Sequence, residues 1–171
     1  MAGIAGYFGQ AQAPEVLQAM VRKLAHRGRD GESFYHANPV FMGIRGIAAD
    51  SEDQPAYSHD DSIAVLFSGD ISNVAALREH LSRKGIHCRT DSVAELVLHL
   101  YEAYGINLAA HLRGRFVFAV HDTLKDFVFL CRDRLGQEPL YYTTTQSGDL
   151  VFGSEIKAVL EHPGVQAVPD M

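Results

Sequence analysis

Apolar and polar positions change rhythm several times along the chain. Residues 3–8 are almost wholly apolar and punctuated by glycine, which predicts a buried strand beside the N-terminus. Between Pro14 and Ala25 the residues Val16, Leu17, Met20, Val21 and Leu24 recur at helical spacing, and Pro14 suits a first turn. HRGRDGESF (26–34) reads as a turn-rich loop, 41–49 as a strand, 51–61 as a polar loop and 62–70 as a strand running into a glycine turn. Two helices follow, Asn73 to Lys84 stopped by Gly85 and Ser92 to Tyr104 stopped by Gly105. Residues 115–122, 126–133, 139–145 and 149–154 are rich in β-branched and aromatic side chains at hairpin-like spacing and predict four short strands. Tyr141 and Tyr142 alternate across the third of these, so one of them is expected in the core. Residues 154–162 close as a short helix with Ser154 as its N-cap.

Helices do not alternate regularly with strands, which argues against a doubly wound parallel sheet. Two antiparallel sheets stacked face to face with helices outside, an α+β arrangement, fit the pattern better. A single domain over 1–163 is expected, with 164–171 as a boundary segment of Pro, Gly and small residues. With 171 residues, 47% of them hydrophobic, the chain has material for a real core. No apolar run reaches the roughly 20 residues of a membrane span. The start is short and uncharged, unlike a secretory signal. The net charge of −6 and the lack of a Lys/Arg block exclude a duplex-binding face. Cys88 and Cys131 lie far apart and are expected to stay reduced, as in a cytoplasm. The nine histidines form no metal-binding spacing. The glycine pairs do not follow a strand and open a helix as a phosphate loop does. No metal or cofactor is expected.

Seven stretches in order, MAGIAG, HRGRDG, SGDISN, RTDSVAEL, LRGRFVFAVHD, CRDRLGQEPLYY and FGSEIKAVLEHP, resemble the glutaminase domain of asparagine synthetases. Those are class II glutamine amidotransferases of the N-terminal nucleophile hydrolase fold, and the resemblance covers essentially residues 1–165. It implies a four-layer α-β-β-α sandwich. It also implies a chemistry in which an N-terminal cysteine attacks the glutamine amide with its own α-amine as base. An Asn side chain and the following Gly N–H form the oxyanion hole. An Arg clamps the substrate carboxylate, acidic groups hold its ammonium, and ammonia passes to a second, ATP-using domain.

The resemblance implies losses at the site. Ala2 stands where the family pattern MCGIAG has the nucleophile. Ser68 replaces the oxyanion Asn of NGEIYN, Gly69 remains, and Asp70 stands for the Glu. Val93 occupies the acidic position of a TDSDTE-like segment. Arg29 replaces the Pro of HRGPDG. Arg45 matches the carboxylate clamp, although the usual His-x-Arg context has become Gly43-Ile44-Arg45. Bland readings stand beside these: Arg45 as an ion-pairing strand arginine, Gly69 as a turn glycine, Asp30 and Asp91 as turn formers. Arg132, Asp133 and Arg134 read as an internal ion-pair network or as part of a site.

Three functions are compatible with this pattern. One is a degenerate, catalytically silent domain that covers a synthetase-like (ATP-pyrophosphatase) partner domain, in cis or in trans, as in β-lactam synthetase and lasso-peptide cyclases. Another is a genuine glutaminase domain disarmed by Cys→Ala at position 2. The last is a stand-alone module that uses the old pocket for a ligand other than glutamine. Glutamine or another amino acid, weakly held, is also a candidate partner of the pocket. No SGGxDS-type loop occurs in these residues, so the domain is either part of a longer chain or separate.

Overall fold

A computed structural model of the chain describes residues 2–9, 14–29, 31–46 and 53–167. Among the described residues nine strands are all paired antiparallel, in a five-stranded sheet that runs 31–37, 40–46, 3–8, 150–153, 141–144 and a four-stranded sheet that runs 56–57, 63–71, 114–122, 127–132. The chain divides into two compact units, residues 1–52 with 139–171, and residues 53–138. Each unit holds one sheet, so the α+β class read from the sequence is what the chain adopts.

The first unit contains β1 (Gly3–Phe8), α1 (Pro14–Arg22), β2 (Gly31–Ala37), β3 (Val40–Gly46), β8 (Tyr141–Thr144), β9 (Leu150–Gly153) and α4 (Ile156–Val159). The stripe Leu17, Met20, Val21 of α1, with Leu24, packs on Ala5, Tyr7, Phe41 and Val151. Tyr7 stacks on Phe41 with ring centroids 5.0 Å apart. Alternation then assigns the faces: Ala5 and Tyr7 look toward α1, Ile4 and Gly6 away from it. The helix expected to reach Ala25 ends at Arg22, and a 3₁₀ turn takes Ala25–Arg27. The loop expected over 26–34 gives way to β2 at Gly31. Its polar residues are those of an edge strand, which alternate weakly and mimic a loop.

Two further expectations are corrected here. Ser154 is not a helix cap: Glu155 occupies that position and makes no side-chain capping bond. Ser154 is fully buried and continues the β1–β9 pairing instead, its Oγ accepting from Ile4 N–H at 3.0 Å while its own N–H donates to Ile4 O at 2.8 Å. Neither Tyr141 nor Tyr142 is in the core; they are 44% and 71% exposed on β8, an edge strand.

The second unit contains β4 (Ala56–Tyr57), β5 (Ile63–Ile71), α2 (Val74–Arg83), α3 (Val93–Tyr104), a 3₁₀ turn (Gly105–Ala110), β6 (Gly114–Asp122) and β7 (Phe127–Arg132). The short β4 lies inside the stretch expected to be loop. Gly85 at φ +79° and Gly105 at φ +57° follow the two helices as expected. Val65, Phe67, Phe116, Phe118 and Val120 pack with Leu77, Leu81, Leu96, Val97 and Leu100 of the helices. The opposite face of this sheet therefore carries Ser68 and Asp70 on β5, cross-strand from Val117 and Arg115 on β6, and Arg132 on β7.

Candidate functional site

In the first unit, Ala2 is 2% exposed and precedes β1 directly. The 3₁₀ turn brings Arg27 across the strand start. Its Nη1 donates to Ala2 O at 3.3 Å and its Nε to Glu155 Oε1 at 2.8 Å. His26 Nε2 donates to the same carboxylate oxygen at 3.0 Å, and Lys157 Nζ donates to His26 Nδ1 at 3.2 Å. Burial pushes the Glu155 carboxyl up, but the bonds from Arg27 and His26 outweigh it and hold it below the usual range. Gly3 makes room for this arrangement, since a Cβ there would lie 2.7 Å from Arg27 Cδ. The motif residues Gly3, Arg27 and Glu155 thus form one cluster around the backbone of position 2. Nothing in the sequence links their motifs, because Arg27 and Glu155 lie 128 residues apart.

Arg45 lies opposite Gly3 on one side and Glu32 on the other. That register puts it on the α1 face of the sheet. Its Nη1 donates to Glu32 Oε2 at 2.6 Å, its Nε to Gly28 O at 3.2 Å and its Nη2 to Arg29 O at 3.3 Å. The side chain ties the 28–29 segment to β2 and β3, with one donor group on each acceptor. Gly28 is needed for this closeness, because a Cβ there would meet the backbone carbon of Gly46 at 1.9 Å. Asp30 lies outside the described residues.

In the second unit, Ser68 is 2% exposed on β5 and Asp70 is exposed. Gly69 between them has φ +128° within the strand, so it is not a turn residue. An added Cβ would lie 2.3 Å from Arg115 O. Only glycine fits both the dihedral and the close approach. Val93 opens α3 and is half-buried against the hydrophobic core of its unit. Asp91 is exposed, with Arg78 Nη1 3.7 Å away.

Glu95, one turn into α3, was not singled out in the sequence. It is buried, and it accepts from Arg89 N–H at 2.9 Å, Thr90 N–H at 2.7 Å and Thr90 Oγ1 at 2.6 Å. Burial alone would raise its pKa; the Thr90 and Arg89 hydrogen bonds, with His99 nearby, more than offset it and bring it down to about 2. The carboxylate anchors the preceding loop, and Ser92 opens the helix without a side-chain capping bond.

Asp133 is buried as well, and it builds no ion-pair network with Arg132 and Arg134. It accepts from the backbone N–H groups of Leu135, Gln137, Glu138 and Phe116 at 3.1, 3.0, 3.0 and 3.4 Å. Those bonds, acting against burial, keep its carboxyl below the usual range. Both cysteines are free. Burial raises the Cys88 thiol, and burial with Asp133 nearby raises Cys131 to about 11. Neither is a thiolate at neutral pH. No group of His, Cys, Asp and Glu that would hold a metal ion occurs among the described residues.

Comparison with known proteins gives a consistent set of likenesses. The glutamine amidotransferase domain family matches residues 1–171. Asparagine synthetase [glutamine-hydrolyzing] 1 of Bacillus subtilis is 32% identical over 169 residues, covering 94% of this chain and 27% of its own length. Asparagine synthetase [glutamine-hydrolyzing] 3 of Arabidopsis thaliana is 35% identical over 167 residues, covering 93% and 28%. The chain thus spans under a third of these relatives. Among solved structures, glutamine phosphoribosylpyrophosphate amidotransferase from B. subtilis, complexed with ADP and GMP, matches with TM-score 0.76 at 20% identity, over 91% of this chain and 42% of that one. The likeness extends to the fold, that of the N-terminal nucleophile amidotransferases.

Proposed function

Since the chain belongs to the glutamine amidotransferase domain family, we propose that it is an asparagine-synthetase-type glutaminase domain that no longer hydrolyses glutamine. Its role is to cover and stabilise a synthetase-like, ATP-using domain. The observation that carries this reading is Ala2. A methyl group has no lone pair to attack the amide, and an α-amine at that position has no thiol to deprotonate. Neither cysteine substitutes for it, since both thiols stay protonated. The two free thiols fit a reducing compartment such as the cytoplasm.

Two more positions support silence over a simple disarming. Ser68 offers a short hydroxyl where the family has a planar amide donor, and losing such a donor costs about 3 kcal/mol of transition-state stabilisation. Val93 packs into the core where the family has a carboxylate, which leaves a substrate ammonium without its anion at a cost of about 3 kcal/mol or more. Together these lower turnover by roughly four orders of magnitude, independently of the nucleophile.

Ammonia release from glutamine is the measurement. The chain as it stands should release none above background. Ala2→Cys, with the new cysteine confirmed as the N-terminal residue by mass spectrometry, should remain inactive. The combination Ala2→Cys, Ser68→Asn, Val93→Asp should regain detectable activity. Robust hydrolysis by the processed single variant would identify a working site deprived of its nucleophile alone, and the silent reading would be wrong.

A further inference from the structure

The LRGR and RDRLG stretches have no part in the reading above, yet they meet at one cleft in the second unit. It has a volume of about 430 Å³, with Asp70, Arg113, Arg115 and Arg134 around it and Leu112 and Phe116 also lining it. Leu112 and Phe116 are buried, 2% and 4% exposed, while the three arginines are exposed. We propose that this cleft binds a small polyanion, a molecule that carries two or more phosphate or carboxylate groups.

Charge pairing is the first argument. Arg27, Arg45, Arg78, Arg83 and Arg89 each have a carboxylate within 4 Å. Arg113, Arg115 and Arg134 have none among the described residues; Arg22, Arg29 and Arg132 have none either, but only the first three line one cleft. Arg134 makes one long bond, from Nη2 to Ala110 O at 3.4 Å. Of the two acids in the cleft lining, Asp133 has its oxygens on four backbone N–H groups. Asp70 is directly cross-strand from Arg115 but forms no ion pair with it. Three arginines thus line one cleft, none of them with a carboxylate within 4 Å among the described residues.

The frame beneath them is built. Asp133 fixes the 134–138 loop to the start of β6, so Arg134 and Arg115 are carried by backbone that hydrogen bonds hold in place. The volume lies in the range of small-molecule clefts. The net charge of −6 disfavours a nucleic acid, which needs a broad basic face. A compact anion instead engages the planar, five-donor guanidinium forks at short range.

The inference is independent of whether position 2 is silent, because its readout is binding and not ammonia release. Pyrophosphate and citrate serve as phosphate and carboxylate probes for calorimetry on the full chain at low salt. We expect saturable one-to-one binding of at least one probe, in the submillimolar range, weakening as salt is raised. Arg115→Gln and Arg134→Gln should each weaken it about tenfold and the triple variant with Arg113→Gln should abolish it. Arg83→Gln, on α2 and paired with Glu79, should leave it unchanged, and all variants should melt within a few degrees of the parent. Binding of citrate alone would assign carboxylate ligands, and of pyrophosphate alone phosphate ligands. Absence of binding by both probes, or binding that survives in a folded triple variant, overturns the proposal.

Discussion

Around the chain start, in the first unit, charged side chains close on their own neighbours. Arg27 holds Ala2 and Glu155, and Arg45 holds Glu32 and two backbone carbonyls. In the second unit the positions proposed to have lost substrate contacts are 68 and 93, while the residues that shape backbone are in place. Gly69 keeps its unusual φ, and Glu95 and Asp133 each hold a loop by its N–H groups. The difference separates two demands on one sequence. Frame residues are needed for the chain to fold whether or not it catalyses anything. Contact residues are needed only for chemistry, so they change without cost to the fold once the chemistry is gone.

That contrast is most easily broken at Gly69. Alanine there meets Arg115 O at 2.3 Å and must hold φ near +128°. Backbone strain and overpacking together cost about 4 kcal/mol. The melting temperature should fall by about 8 °C or more for a domain of this size. A variant that melts within two or so degrees of the parent would mean that the frame is not under the constraint assigned to it.

Glu95 tests the same idea with a titration. Its folded pKa, about 2, lies below the ordinary 4.5. A depressed carboxyl contributes its stability fully above the unfolded pKa and loses it as pH falls through the folded one. The contribution is about 3 kcal/mol, present at neutral pH and lost between pH 4.5 and about 2. Glu95→Gln should therefore be less stable than the parent near neutrality, and the gap should narrow steadily over that acid window. Chemical denaturation at several pH values reads the gap directly. A gap that is constant with pH would show that the anchor acts through packing and not through its charge.

The strands and helices with strong periodicity were legible in the sequence because burial on one face imposes the pattern. Two edge elements were not: β2 carries polar residues suited to solvent, and β4 is only two residues long, whereas the edge strands β7 and β8 keep enough β-branched and aromatic residues to be expected. Ser154 precedes a short helix and looks like a cap, but the deciding interaction is with Ile4, 150 residues away. The proposed site positions rest on motifs alone, Ala2 above all, since a residue type set against a family pattern needs no structure to be noticed. The roles of Glu95 and Asp133 were not legible, because a carboxylate that binds backbone N–H groups has the same letter as one that binds substrate or arginine. Only the fold shows where its oxygens go.

Arg45 carries the smallest expected effect and the sharpest choice between frame and contact. As a tie within its unit it makes one ion pair to Glu32, whose side chain is 46% exposed, and two bonds to carbonyls. Solvent screening keeps the ion pair to a few tenths of a kcal/mol, so Arg45→Ala should cost about 1 kcal/mol in all. A cycle with Glu32→Gln should give a coupling of about 0.5 kcal/mol. Glutamine binding should be millimolar or weaker in the parent, because Val93 offers the ammonium no anion, and it should change little in Arg45→Ala. The opposite result would be unchanged stability with glutamine binding reduced tenfold or more. It would place Arg45 among the contact residues, and a carboxylate clamp would then have outlasted the nucleophile it served.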